Sequence, residues 1–234
     1  MAAAATGARH GREIAKKMAV EKRIRKQAEH DAIANRTAAL TEKIMRAFDG
    51  NFSGTIEREE MKPMLHTYAV ELLDAGSGDV VPSDDDIEFL LLLCNRTDSG
   101  EALARENVLN ACYAWGDFIE QKSMISNLIK SHDADSNGAI DKGEMASMFE
   151  ELDPDLKEIP PEVIDWIFTT ADISKTGMLT HMETARAISA FHMWKEDYTP
   201  DAPAKYVFLS RDIAKEDVQE LPQPVKKSST CTLL

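Results

Sequence analysis

Twelve consecutive residues, "DADSNGAIDKGE" from Asp133 to Glu144, constrain this chain more than any other stretch. Oxygen-bearing side chains fall at positions one (Asp133), three (Asp135), five (Asn137), nine (Asp141) and twelve (Glu144), with Gly138 at six and Ile140 at eight. A hard divalent cation of calcium's size takes six to eight oxygens, and a short loop supplies them by winding around the ion. Positions one, three and five give side-chain oxygens, and Ala139 at seven gives a backbone carbonyl. Position nine acts through water, and Glu144 at twelve offers both carboxylate oxygens. Glycine at six allows the sharp bend, and the aliphatic residue at eight faces the core.

The same template recurs. "DGNFSGTIEREE" sets Asp49, Asn51, Ser53, Gly54, Thr55, Ile56, Glu57 and Glu60 in register. "DISKTGMLTHME" does so with Asp172, Ser174, Thr176, Gly177, Met178, Leu179, Thr180 and Glu183. "NRTDSGEALARE" matches less well, through Asn95, Thr97, Ser99, Gly100 and Glu106, with Ala102 at eight. Loop starts at 49, 95, 133 and 172 define a repeat of four units. The first interval is lengthened by the Gly/Pro-containing connector "DAGSGDVVPS".

Apolar spacing of three and four dominates around the loops, as in Leu40, Ile44, Phe48 and in Ile125, Leu128, Ile129, and strand-like alternation is nearly absent. The expectation is an all-α protein in four parts. Residues 1–36 form a basic helical arm and residues 37–118 a first pair of units. Residues 119–199 form a second pair, and residues 200–234 a flexible, proline-containing tail.

These loops and their flanks, "EKIMRAFDGN" and "ISNLIKSHDAD", resemble the EF-hand superfamily, and the four-unit layout is similar to calmodulin-like calcium sensors. The resemblance covers about residues 37–195. It implies two lobes of paired hands, Ca²⁺ as the bound ion, and a ligand set residue by residue. That set is Asp49, Asn51, Ser53, Thr55 and Glu60; Asp133, Asp135, Asn137, Ala139 and Glu144; and Asp172, Ser174, Thr176, Met178 and Glu183. Ligand charge ranks the third loop first, then the first, then the fourth; the second is expected to be a structural hand.

Methionines 61, 64, 145, 148, 182 and 193 fall on the outgoing helices, where they suit either an adaptable groove for a target helix or ordinary core packing. Mostly helical character from Asn107 to His132, interrupted by Gly116, would let the lobes act semi-independently on a target protein or peptide helix. The competing class is a scaffold subunit of a cytoskeletal or membrane assembly, or a calcium buffer. His132 is expected at the core edge, and Cys94 and Cys112 as core thiols.

Charge divides the chain. Through Phe48 there are eleven Lys/Arg against five Asp/Glu, a balance of +6; the rest holds sixteen against thirty-six, or −20. An acidic body repels phosphate backbones, so no nucleic-acid role is expected of it, whereas basic partner segments suit it. Three scattered cysteines suit a cytoplasmic setting. No HExxH, GxxxxGK[ST] or GxSxG motif occurs, so no enzymatic activity is expected. The C-terminal "CTLL" places Cys231 in a C-a-a-X-like box. Prenylation there, with Lys226, Lys227 and the basic arm as further signals, would give peripheral membrane association.

Overall fold

In the computed structural model the described residues are 2–72, 80–95, 101–156, 158–195, 209 and 221–222, with side chains of the first helix described at Met18 and from residue 21 onward. The chain is mostly helical. It divides into two compact units, Met1–Ala47 and Phe48–Leu234.

The first unit is one element, the helix α1 (Ala2–Phe48, 47 residues). Its sequence is rich in Ala, Glu, Lys and Arg, the strongest helix formers, so propensity alone favours it. Residues 21–39 are all exposed. Spacing of four along the surface brings Arg25 to Glu29 (3.1 Å), Arg46 to Glu42 (2.8 Å) and Gln27 to Asp31 (2.9 Å). Such pairs each support an isolated helix by about 0.2–0.5 kcal/mol. With Ile24 and Ile33 exposed along with the rest of residues 21–39, the helix is held in this way rather than by a buried stripe. The expected boundary near residue 36 is not a break: the helix continues to Phe48.

The second unit carries seven more α-helices among the described residues. Strand β1 (Thr55–Glu57) leads into α2 (Arg58–Leu72). Then come α3 (Asp84–Cys94), strand β2 (Ala102–Ala104) and α4 (Val108–Ile119), the last entered through a 3₁₀ turn at Arg105–Asn107. The remaining helices are α5 (Lys122–His132), α6 (Lys142–Leu152), α7 (Pro161–Ala171) and α8 (His181–Lys195). Their ends are written locally. Ser83 accepts from the Asp86 amide while Asp86 accepts from the Ser83 amide, a reciprocal cap that starts α3. Asp141 and Glu144 do the same for α6. Pro161 occupies the first turn of α7, where its missing N–H costs nothing.

Two short antiparallel pairings join the helix–loop–helix units. β1 pairs with β2, and Ile140 forms an isolated bridge with Leu179. Ile56 and Leu103, partners in the first, are fully buried, as are Met61 and Leu65 on α2 and Trp115 on α4. In the second pair of units, Phe149 of α6 and Phe191 of α8 stack with centroids 4.4 Å apart and planes 5° from parallel. Within this unit α3 packs against α8, and α4 against α5. The halves expected to be semi-independent therefore share contacts, and Phe48–Leu234 group together. The helical break expected at Gly116 lies instead at Glu120–Gln121; Gly116 is buried inside α4.

Candidate metal centre

Three loops share one backbone. Each first residue directly follows a helix, and the carboxylate there folds inward over the loop's own amides. Asp133 Oδ1 accepts from the Asn137 amide (3.0 Å) and Oδ2 from that of Gly138 (2.8 Å). Asp49 repeats this with Ser53 (2.9 Å) and Gly54 (3.0 Å), and Asp172 with Thr176 and Gly177 (both 3.0 Å). Those amides, Gly138 above all, hold the Asp133 carboxyl below the usual range, favouring the anion.

Position four turns left-handed in every case: Phe52 has φ 58°, Ser136 59° and Lys175 56°. Position six is left-handed too, with φ near +80° at Gly54, Gly138 and Gly177. A Cβ added at Gly138 would meet nothing within 4 Å, so glycine is needed there for its backbone freedom and not for space.

Each twelfth residue closes its loop with both carboxylate oxygens. Glu144 Oε1 accepts from the Ala134 amide (2.8 Å) and Oε2 from that of Asp141 (2.9 Å). Glu60 spans Gly50 and Glu57 (2.9 and 3.0 Å), and Glu183 spans Ser174 and Thr180 (2.9 and 3.0 Å). The fifth residue turns toward the seventh carbonyl: Ser53 Oγ donates to Thr55 O (3.2 Å) and Thr176 Oγ1 to Met178 O (2.9 Å). In the third loop carboxylate oxygens of Asp133, Asp135 and Glu144 lie within 4.8 Å of one another. Among the described residues this is the group of three acidic side chains spaced to hold a metal ion. It offers only hard oxygen donors, the chemistry that suits calcium or magnesium rather than zinc or copper.

The second loop departs from the template, and its expected register is corrected. Ile56, at position eight of the first loop, faces Leu103, not Ala102. Leu103 is fully buried and Ala102 half-buried, because the larger aliphatic side chain takes the core position. Asn95 still caps the preceding helix, with its amide bonded to Leu91 O at 2.9 Å. The loop therefore carries one residue more than its sisters before the strand. The same shift puts Asn107 where the others have glutamate, and Glu106 is exposed. Asn95 Nδ2 donates to Ala102 O (2.6 Å), and Asn107 Nδ2 donates to Asn95 Oδ1 (3.4 Å). Neutral side-chain hydrogen bonds close this loop, where the other three use a carboxylate. Asn107 went unnoticed in the sequence; the signal was Leu103, the stronger candidate for the buried eighth position.

Nearby expectations fare differently. The methionines at 61, 64, 145, 148 and 182 are fully or almost fully buried, and Met193 is half-buried, so here they serve as core. His132 lies at the core edge, its ring 2.8 Å from Glu151. Cys112 is buried and Cys94 half-buried. Cys231 lies outside the described residues. No helix among the described residues is long and apolar enough to cross a membrane.

No family model matches the chain, and no curated protein matches it. Among solved structures it is similar to a homolog of programmed cell death 6 protein from Leishmania major Friedlin. That likeness has 14% identity and a TM-score of 0.30, and covers 72% of this chain and 89% of the other.

Proposed function

We propose that this chain is a calcium-binding protein of the EF-hand type, with ion sites in the first, third and fourth loops. The observation that carries this is the threefold repetition of one inward-facing oxygen arrangement, densest at Asp133, Asp135 and Glu144. Asp133, Asp135, Asn137, the Ala139 carbonyl and Glu144 would hold the ion in the third loop. Asp49, Asn51, Ser53, the Thr55 carbonyl and Glu60 would do so in the first, and Asp172, Ser174, Thr176, the Met178 carbonyl and Glu183 in the fourth. A Ca²⁺ held there would supply a double positive charge that draws these oxygens together, each keeping a lone pair beyond the one given to a loop amide.

The residues already do half of that work. Each twelfth-position glutamate ties the start of its loop to the outgoing helix, so a change in what its two oxygens hold bears directly on α2, α6 or α8. Because Ile140 pairs with Leu179, the third and fourth loops respond together. The signal then passes to a target protein presenting an apolar, basic helix, which the −20 charge outside α1 favours. Peripheral membrane attachment through a prenylated Cys231 belongs to the same proposal; intact mass of the native protein showing a bare Cys231 with Leu234 retained removes it.

Isothermal calcium titration in excess magnesium tests the reading. Three sites are expected, the third loop tightest. Absence of binding at millimolar Ca²⁺ overturns it. The second reading, a scaffold or buffer, is favoured by the burial of the outgoing-helix methionines; it predicts no gain in binding of an apolar dye when calcium is added.

A further inference from the structure

One side chain reaches from the fourth loop to the third. Asn137 Nδ2 donates to Met178 Sδ at 3.4 Å, a contact between residues 41 apart in the chain. The other end of the same amide, Oδ1, accepts from the Ala139 N–H at 2.8 Å. Asn137 is the fifth residue of its loop and Met178 the seventh of the next, so members of two ligand sets touch. The Ile140–Leu179 bridge brings them together, because Met178 immediately precedes Leu179. Met178 is half-buried and Asn137 exposed.

The fifth residues of the first and fourth loops are hydroxyls, Ser53 and Thr176, each donating to the seventh carbonyl of its own loop. A hydroxyl oxygen can face an ion whichever way its hydrogen rotates. A carboxamide has two unlike ends, an oxygen that serves a cation and an NH₂ that repels one. Which end faces the loop decides whether Asn137 can be a ligand at all. In the first loop the comparable amide, Asn51, donates to the Glu57 carboxylate of its own loop (2.9 Å). In the third loop the carboxylate at that ninth place, Asp141, accepts from the Glu144 amide (2.8 Å) as the cap of α6. Asn137 donates instead to the neighbouring loop. A thioether sulfur accepts and has no proton to give, so it partners the NH₂ and not the oxygen. A reversed amide would set Oδ1 against sulfur lone pairs and NH₂ against the Ala139 N–H.

We propose that Met178 is a positioning residue for the third site: its sulfur holds the Asn137 carboxamide with Oδ1 turned to the loop. A residue of the fourth loop thereby sets how well the third is built for an ion. This rests on the reading of these loops as calcium sites. The contact runs one way, since the seventh residue of the third loop is Ala139, whose methyl accepts nothing. It is also distinct from the Ile140–Leu179 bridge, which ties two backbones and acts on both sites alike.

The test compares the full chain with Met178→Leu and Met178→Gln. Leucine nearly matches the volume of methionine and keeps the main-chain carbonyl, but its side chain accepts nothing. Glutamine restores an acceptor oxygen at similar reach. In the calcium-free protein the side-chain NH₂ resonances of Asn137 are expected to shift in the leucine variant and to return toward wild-type positions with glutamine. On titration the third site weakens about twofold to fourfold with leucine, the low end for one neutral hydrogen bond. The fourth loses less, and glutamine recovers the third. Asn137→Ser, which leaves no amide to orient, abolishes the sensitivity to Met178→Leu. Resonances that ignore the leucine, equal losses at both sites, or sensitivity that persists beside Asn137→Ser overturns the proposal. Should Met178→Leu fail to fold, a nuclear Overhauser contact between the Asn137 NH₂ and the Met178 methyl in the wild type decides, its absence overturning. A wild-type third loop that binds no calcium, with Asn137 resonances still answering to Met178, sinks the calcium reading and leaves the orientation standing.

Discussion

Ile140 and Leu179 exchange both backbone hydrogen bonds, Ile140 N to Leu179 O at 3.0 Å and Leu179 N to Ile140 O at 2.8 Å. Both side chains are fully buried. This bridge places the eighth residues of two loops back to back, so whatever one loop does to its backbone the other feels. Ile140→Ala should therefore cost about 2–4 kcal/mol of stability, as large-to-small core changes do. It should also weaken calcium at the third and fourth sites together while leaving the first unchanged. Urea unfolding and calcium titration check both halves; a loss confined to the third site would refute the coupling.

Glu144→Gln removes an anionic oxygen at the most acidic loop and leaves its shape. Calcium affinity at that site should fall by about tenfold or more, because ligand charge sets affinity in such loops. Site-resolved titration followed by NMR reads this directly. An unaltered curve would mean Glu144 is no ligand.

Asn95→Ala probes the loop closed without a carboxylate. It deletes the 2.6 Å bond to the Ala102 carbonyl and strands a half-buried acceptor, at a cost of about 1–2 kcal/mol. The number of calcium ions bound should not change. A stoichiometry reduced by one would show that the second loop binds after all.

Burial pushes the Cys112 thiol up to about 12, with nearby Cys94 adding to the shift. It likewise pushes the Tyr68 phenol up to about 12, helped by Cys112, Tyr113 and Asp117. Both groups are neutral when folded, and their ordinary values are 9.0 and 10.0. Below about 9 neither state ionises and the folded chain keeps its full stability. Between about 9 and 12 the unfolded chain releases protons that the folded chain retains, so stability falls as pH rises. Urea midpoints should decline from pH 8.5 to 10.5, and Cys112→Ala should shift the onset upward. A flat profile would contradict the burial of both groups.

The three isomorphous loops were legible in the sequence because their geometry is local. Asp133 bonds amides four and five residues on, and Glu144 reaches an amide ten residues back. Such contacts need no help from the rest of the fold, so residue order sets the expectation. The register of the second loop was not legible, since Ala102 and Leu103 both fit the spacing and only pairing with Ile56 chose between them. The joining of the halves, the continuity of α1 to Phe48 and the meeting of Leu209 and Pro222 with α8 were equally out of reach. Each depends on which surfaces bury one another or on a long helix held by its own side-chain pairs, and apolar burial carries no directional signal in the chain. The sequence determined where oxygens converge; tertiary packing decided the register of the second loop and how closely the helix after the last loop is covered.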